Sequence, residues 1–452
     1  GGGGDNITIG QRMRDRGFTR GMVDEFQVFD RQLTELEIAQ LHDGQSLAQV
    51  MRTPVEQLSA EQKAQLRQYY LVTLDPEYGK QLAALQAARQ QRCKTDDGIQ
   101  EIMVMRELPE PRPTYLLRRG AYDAPGDPVQ PDTPAALLPL ADDQPRNRLG
   151  LARWLVSPQH PLTARVAVNR FWQMCFGRGL VRTPEDFGSQ GSPPTHPRLL
   201  DWLAHDFVQH QWDVKYLVKK IVMSATYRQS SAATVEIRQR DPENRLLARG
   251  PRYRWPAEML RDNALAVSGL LVDKQGGPPA RPYEVAESFK PVKADAGAGL
   301  YRRSLYTFWK RTAPAPVMMA LDAAKRDVCS VQRERTSSPL QVFVLLNDPQ
   351  LVEAARMLAQ KMLQKHGDDL GAVVDETFRL LTSRRPVEAE QHILQRLFAE
   401  QLKYFETYPE KAEAYLKVGR AQRDGRFAAP RLAAAGVLVG TLMNYDECVI
   451  KR

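Results

Sequence analysis

The chain has 452 residues, 42% of them hydrophobic and 26% charged, which excludes wholesale disorder and is long enough for a large body with appendages. Its 63 Lys and Arg exceed its 54 Asp and Glu, a net charge of +9 spread along the chain, so the bias is toward polyanions without the clustered basicity of a nucleic-acid binder. No stretch of about 18 apolar residues is present, so no membrane span is expected.

Gly1 to Gly4 open a segment with no basic-then-apolar leader and no initiator methionine, which reads as a piece of a longer protein. Apolar residues alternate at Ile7 and Ile9 and again over Met22–Phe29, the pattern of strands. Residues 1–50 are therefore expected to hold the remnant of a β-sandwich and a short helix at Glu37, Ile38 and Leu41. Strong helix formers from Ser59 to Arg92, broken at Asp75-Pro76, predict a helical hairpin within residues 51–100. Nine prolines between positions 107 and 145 exclude helix and inner strand, so residues 101–146 are expected to run extended over the main body, anchored by Tyr115, Leu116 and Leu117.

From residue 147 to 452 the pattern turns helical. Helices are predicted at 147–157, 162–176, 197–210, 213–225, 255–270, 348–365, 369–384, 386–405 and 428–443. Arg303–Lys310 and Leu340–Leu346 are expected to be non-helical, strand-like or buried pieces between them. The fold class is mainly α, an α-rich α+β chain.

Few motifs carry chemistry. Cys93, Cys175, Cys329 and Cys448 lie far apart, with no C-x-x-C and no C-x-x-C-H, so neither a zinc knuckle nor covalent haem attachment can be written. His196, Asp201, His205, Asp206 and His210 are the one concentration of metal-capable side chains, but they do not converge on one helix face, and no metal site is expected. Gly177-x-Gly179 and Gly297-x-Gly299 lack the third glycine of a dinucleotide turn, and neither a G-x-S-x-G elbow nor a G-x-x-x-x-G-K loop occurs. Commonplace hydrolases and nucleotide enzymes are disfavoured, and no catalytic residue can be named.

Two polar groupings stand out. Arg165, Asn169 and Arg170 share a helix and offer planar donors to acidic partners such as Asp186, while Glu258, Arg261 and Asp262 have helical spacing. Both read as structural networks. Arg302, Arg303, Lys310 and Arg311 flank Tyr306 and Trp309, the side-chain chemistry of a groove for sulfated or carboxylated sugars. The same run also fits a core strand with charged ends, and both readings stay open.

The longest distinctive run goes from Asn147-Arg148-Leu149-Gly150 through Trp154 and His160-Pro161-Leu162-Thr163 to Asn169-Arg170-Phe171-Trp172. It continues in Phe176-Gly177-Arg178-Gly179, Thr195-His196-Pro197, Ser224-Ala225-Thr226-Tyr227, Arg303-Ser304-Leu305-Tyr306 and Asn347-Asp348-Pro349. In this order the motifs resemble the C-terminal domain of unknown function in the planctomycete cytochrome-like surface proteins, over residues 101–450. The segment Gly21–Leu41 resembles the tail of a laminin-G-like, concanavalin-type domain. The resemblance implies an exported protein of the periplasm or cell surface. It also implies a c-type haem domain elsewhere in the full-length protein, with no cofactor in these residues. The function expected from these features is a non-catalytic binding or scaffold module whose partners are acidic polysaccharide and other surface proteins. The alternative is a hydrolase or lyase domain acting on such glycans.

Overall fold

The computed structural model describes residues 21–284, 293–311 and 313–451, and its architecture is mainly α, with two short antiparallel strand pairs among the described residues. Ile7 and Ile9 lie outside the described residues. The chain divides into two compact units at Arg112/Pro113.

The first unit contains α1 (Glu35–Asp43), α2 (Ser46–Arg52), α3 (Ala60–Thr73) and α4 (Pro76–Asp97). Local chemistry sets their ends. Thr34 caps α1 in a reciprocal box, its N–H donating to Glu37 Oε2 at 2.8 Å, and Asp75 accepts from the Tyr78 N–H at 2.9 Å just before Pro76 opens α4. Leu36, Val50 and Leu58 form a small core with Leu47, Leu66 and Tyr69. The helices on either side of Asp75-Pro76 and the short helix at Glu37–Leu41 follow the sequence reading. The strand expected over Met22–Phe29 does not form: Met22, Phe26 and Val28 stand exposed, and no described strand of this unit offers them a ladder partner. Alternation without a partner leaves every backbone donor and acceptor to water.

The second unit opens with a hairpin of β1 (Thr114–Leu117) and β2 (Pro125–Val129). Tyr115, Leu116 and Leu117 lie in β1 and are exposed, so they anchor nothing, contrary to expectation. Next come α5 (Arg148–Leu155), α6 (Thr163–Phe176), α7 (Pro197–Gln209), α8 (Val214–Met223) and α9 (Val235–Arg240). The inward faces of α6, α7 and α8 meet through Val168, Trp172, Leu203, Phe207, Leu217 and Ile221, the apolar stripe that a 3.6-residue period dictates.

β3 (Tyr253–Arg254) leads into α10 (Ala257–Ser268), α11 (Pro316–Ala320), α12 (Pro339–Asn347) and α13 (Pro349–His366). The chain then forms α14 (Leu370–Thr382), α15 (Glu388–Thr407), α16 (Pro409–Leu416), α17 (Ala429–Met443), α18 (Asp446–Val449) and β4 (Ile450–Lys451). α17 is apolar all round and sits at the centre of the larger core, enclosed by α13, α14, α15 and α16. β4 returns to pair with β3, Tyr253 opposite Lys451 and Arg254 opposite Ile450, and so ties the chain's last described residues to the region beside α6. Leu340–Leu346, expected to be strand-like or buried, is helical as α12, with Leu340 and Phe343 exposed. A short apolar run cannot be told from strand by periodicity. Among the described residues no helix is long and apolar enough to cross a membrane.

Candidate functional site

The C-terminal end of α6 lines a strongly basic cavity. Gly177 ends the helix at φ +82°, and a Cβ there would stand 2.7 Å from the Tyr253 ring, so glycine permits both the left-handed turn and the approach of β3. The Tyr253 hydroxyl donates to the Met174 and Cys175 carbonyls at 2.9 and 3.0 Å, satisfying acceptors that the helix end leaves open. Beyond the turn, buried Asn169 holds the return loop. Its Nδ2 donates to the Val181 carbonyl at 3.0 Å and its Oδ1 accepts from the Val181 N–H at 2.9 Å. Gly179 leaves the room for that amide, which would lie 2.6 Å from an added Cβ. The paired glycines that failed as a dinucleotide motif thus serve close packing.

The cleft so formed has a volume of about 660 Å³, within the range of small-ligand sites, and its walls carry seven arginines against two glutamates. Most of these cations are already engaged. Arg178 and Arg182 both reach Glu243 at 2.7 Å, Arg254 meets Asp322 at 2.6 Å, Arg333 meets Glu258 at 3.0 Å, and Arg252 meets Asp446 at 3.3 Å. The Arg178 hydrogen bond, with help from Arg182, holds the Glu243 carboxyl below its ordinary range.

Arg335 differs. It is half-buried, lies 4.2 Å over the Tyr253 ring, and donates only to the Gly177 carbonyl, at 3.4 Å; among the described residues no carboxylate meets it. Burial pushes its pKa down, and the neighbouring Arg254 and Arg333 push the same way. A guanidinium partly withdrawn from water among like charges is a place where an anion from solution gains charge-assisted hydrogen bonds. Trp172 and Phe176, stacked at 4.2 Å and 12°, back the same cleft from the core, where both are buried.

The residues singled out in the sequence fall elsewhere or serve the scaffold. Arg165 pairs with Asp201 at 2.7 Å rather than with Asp186, because both line the contact between α6 and α7. Asp186 instead accepts from the Gly188 N–H at 2.6 Å and shapes its own loop, while Arg170 is exposed. Arg261 is buried and donates to Gln350 at 2.6 Å and to the Leu300 and Arg302 carbonyls at 2.8 and 2.9 Å. Asp262 accepts from the Ser304 N–H at 2.8 Å, and Glu258 takes Arg333. These groups join α10 to the 300–304 loop and to α13.

In the Tyr301–Arg311 segment, Arg302 is buried over the Tyr306 ring at 4.0 Å and donates to the Lys274 and Pro278 carbonyls at 2.9 and 2.7 Å. The Tyr306 hydroxyl accepts from the Gly276 N–H at 2.9 Å. Arg303 pairs with Asp273 at 2.9 Å, and Trp309 packs on the α10–α11 core, its indole N–H donating to the Lys325 carbonyl. Lys310 is half-buried in a bridge with Ala313, and Arg311 is exposed. Little of this chemistry is left for a ligand.

Asp201 and Asp206 are taken by Arg165 and Lys220, and among the described residues no group of three His, Cys, Asp or Glu could hold a metal ion. The four cysteines carry no disulfide. The cleft's arginines were missed because they come from separate segments, yet Arg252-Tyr253-Arg254 and Arg333-Glu334-Arg335 were visible as two R-x-R runs.

No curated protein and no solved structure matches the chain. A family model described as PSD1, protein of unknown function (DUF1553), matches residues 147–398, which is more than half of the chain and includes the walls of the cleft up to Arg335. The chain therefore belongs to the PSD1 (DUF1553) family of proteins of unknown function.

Proposed function

We propose that this chain is a non-catalytic binding module for acidic polysaccharide, sulfated or uronate-bearing, and that it works in an exported, haem-bearing surface protein. The observation that carries the reading is Arg335, a half-buried cation over the Tyr253 ring that meets no carboxylate among the described residues, in a cleft lined by seven arginines. Guanidinium forks match sulfate and carboxylate. The export and the partnership with other surface proteins rest on the family resemblance of the motifs. A glycan hydrolase or lyase fits less well. Glycoside hydrolysis needs one carboxylic acid kept protonated near neutral pH by a buried site, whereas Glu243 is clamped as an anion by two arginines and Glu334 is exposed.

Heparin retention tests this reading. Arg335→Gln should elute at clearly lower salt than the parent, with about tenfold weaker affinity in solution, the size of one charge-assisted contact. A variant with both Arg303→Gln and Arg311→Gln should elute close to the parent, since its charges are exposed and screened. The reverse order would move the site to the Tyr301–Arg311 segment, and release of shortened glycan by the parent would make the domain an enzyme.

A further inference from the structure

The pairing of β3 with β4 puts Lys451 directly opposite Tyr253, the ring that carries Arg335. Lys451 lines a second cavity of about 910 Å³, together with Tyr227 and Trp255, and Arg252 belongs to the walls of both cavities. The Lys451 ammonium stands 4.3 Å over the Tyr227 ring. Tyr227 meets Phe176 edge-on at 5.6 Å, and Phe176 stacks on Trp172, so one row of rings runs from the first cavity into the second.

Of the three arginines lining this cavity, Arg238 is exposed and the other two are paired. Arg384 is held by Glu390 and Glu447, each at 2.7 Å, and Arg252 by Asp446. Lys451 is half-buried, and among the described residues no carboxylate meets its ammonium. Burial pulls its pKa down, as it does that of Arg335 in its own cavity. Directly opposed residues in an antiparallel pair have Cβ atoms about 5 Å apart and share a face, so Lys451 and the Tyr253 ring that carries Arg335 are neighbours.

We infer that Lys451 is a second anion subsite, and that the two cavities together bind a polymer carrying anions on successive units, bridged across the β3–β4 pair. The inference rests on the polyanion reading of the first cleft and adds to it a length requirement. One small anion fills one subsite; a chain with two suitably spaced anions fills both, the second at high effective concentration.

Binding of a singly sulfated monosaccharide and of a heparin-derived hexasaccharide to the 452-residue chain, measured by calorimetry, tests it. Lys451→Met should weaken the monosaccharide about twofold at most and the hexasaccharide about tenfold, while Lys451→Arg keeps the preference for length. Equal weakening at both lengths, or none at either, would overturn the second subsite. Arg335→Gln separates the two ideas: loss of both ligands in that variant, with Lys451→Met silent, removes only the second subsite. An Arg335→Gln protein that binds both as the parent does removes the polyanion reading itself.

Discussion

Asn169 and Arg165 stand one helical turn apart on α6 and look alike in the sequence as planar donors, yet the structure gives them unlike weights. Asn169 is 1% exposed and satisfies both backbone groups of Val181, itself 2% exposed. Asn169→Ala strands a buried donor and a buried acceptor together, and should cost about 2–4 kcal/mol in chemical denaturation. Arg165 and Asp201 form a partly exposed pair, and Arg165→Ala should cost about 1 kcal/mol or less. Equal losses for the two variants would mean that the Val181 loop finds water when the amide is removed. The polar nature of the α6 signature was legible because the residue types announce it. Its partners were not, since Asp201 and Val181 are fixed by where α7 and the return loop happen to pack.

At the scale of elements, long periodic segments were legible and short apolar ones were not. The nine helices predicted between residues 147 and 443 all form, most of them on a stripe that their own spacing draws and α17 on an almost wholly apolar surface. α12 was misread although Ser338 and Gln341 spell a helix start, with Gln341 Oε1 accepting from the Ser338 N–H at 3.3 Å. Apolar content outweighed the capping signal. The strand at Met22–Phe29 failed for the opposite reason, a correct local pattern with no described partner. The cleft was illegible for a third: its cations reach one cavity only through tertiary packing. Within α17 the requirement is steric. Gly436 sits under the Tyr415 ring, and an added Cβ would lie 2.7 Å from Cε1. Tyr415 is itself partly buried and packs against Phe405 and the larger core, so displacing its ring disturbs those contacts. Gly436→Ala, which raises helix propensity, should nonetheless destabilise by about 1–3 kcal/mol. A rise in the thermal midpoint would show that the ring swings away.

For the whole molecule, the family match and the physical body do not end at the same place. The match stops at residue 398, but the larger core is completed by α17 at Ala429–Met443, and the cleft's strand pair by β4 at Ile450–Lys451. Leu432, Leu438, Val439 and Leu442 on α17 are each at most 2% exposed. At about 1.5–3 kcal/mol for each buried aliphatic side chain, losing these four alone removes roughly 6–12 kcal/mol, as much as the net stability of an ordinary domain. It would also lay bare the inward faces of α13 and α15. A fragment of residues 147–398 should therefore lack a cooperative thermal transition. A fragment of residues 113–452, which retains every element of the second unit, should melt cooperatively and elute from heparin at the same salt as the 452-residue chain. Circular dichroism melts and heparin elution of the two fragments check this. A cooperative melt of 147–398 would show that α13 to α15 close a core without α17. Weaker retention of 113–452 than of the longer chain would mean that the first unit contributes to the anion site.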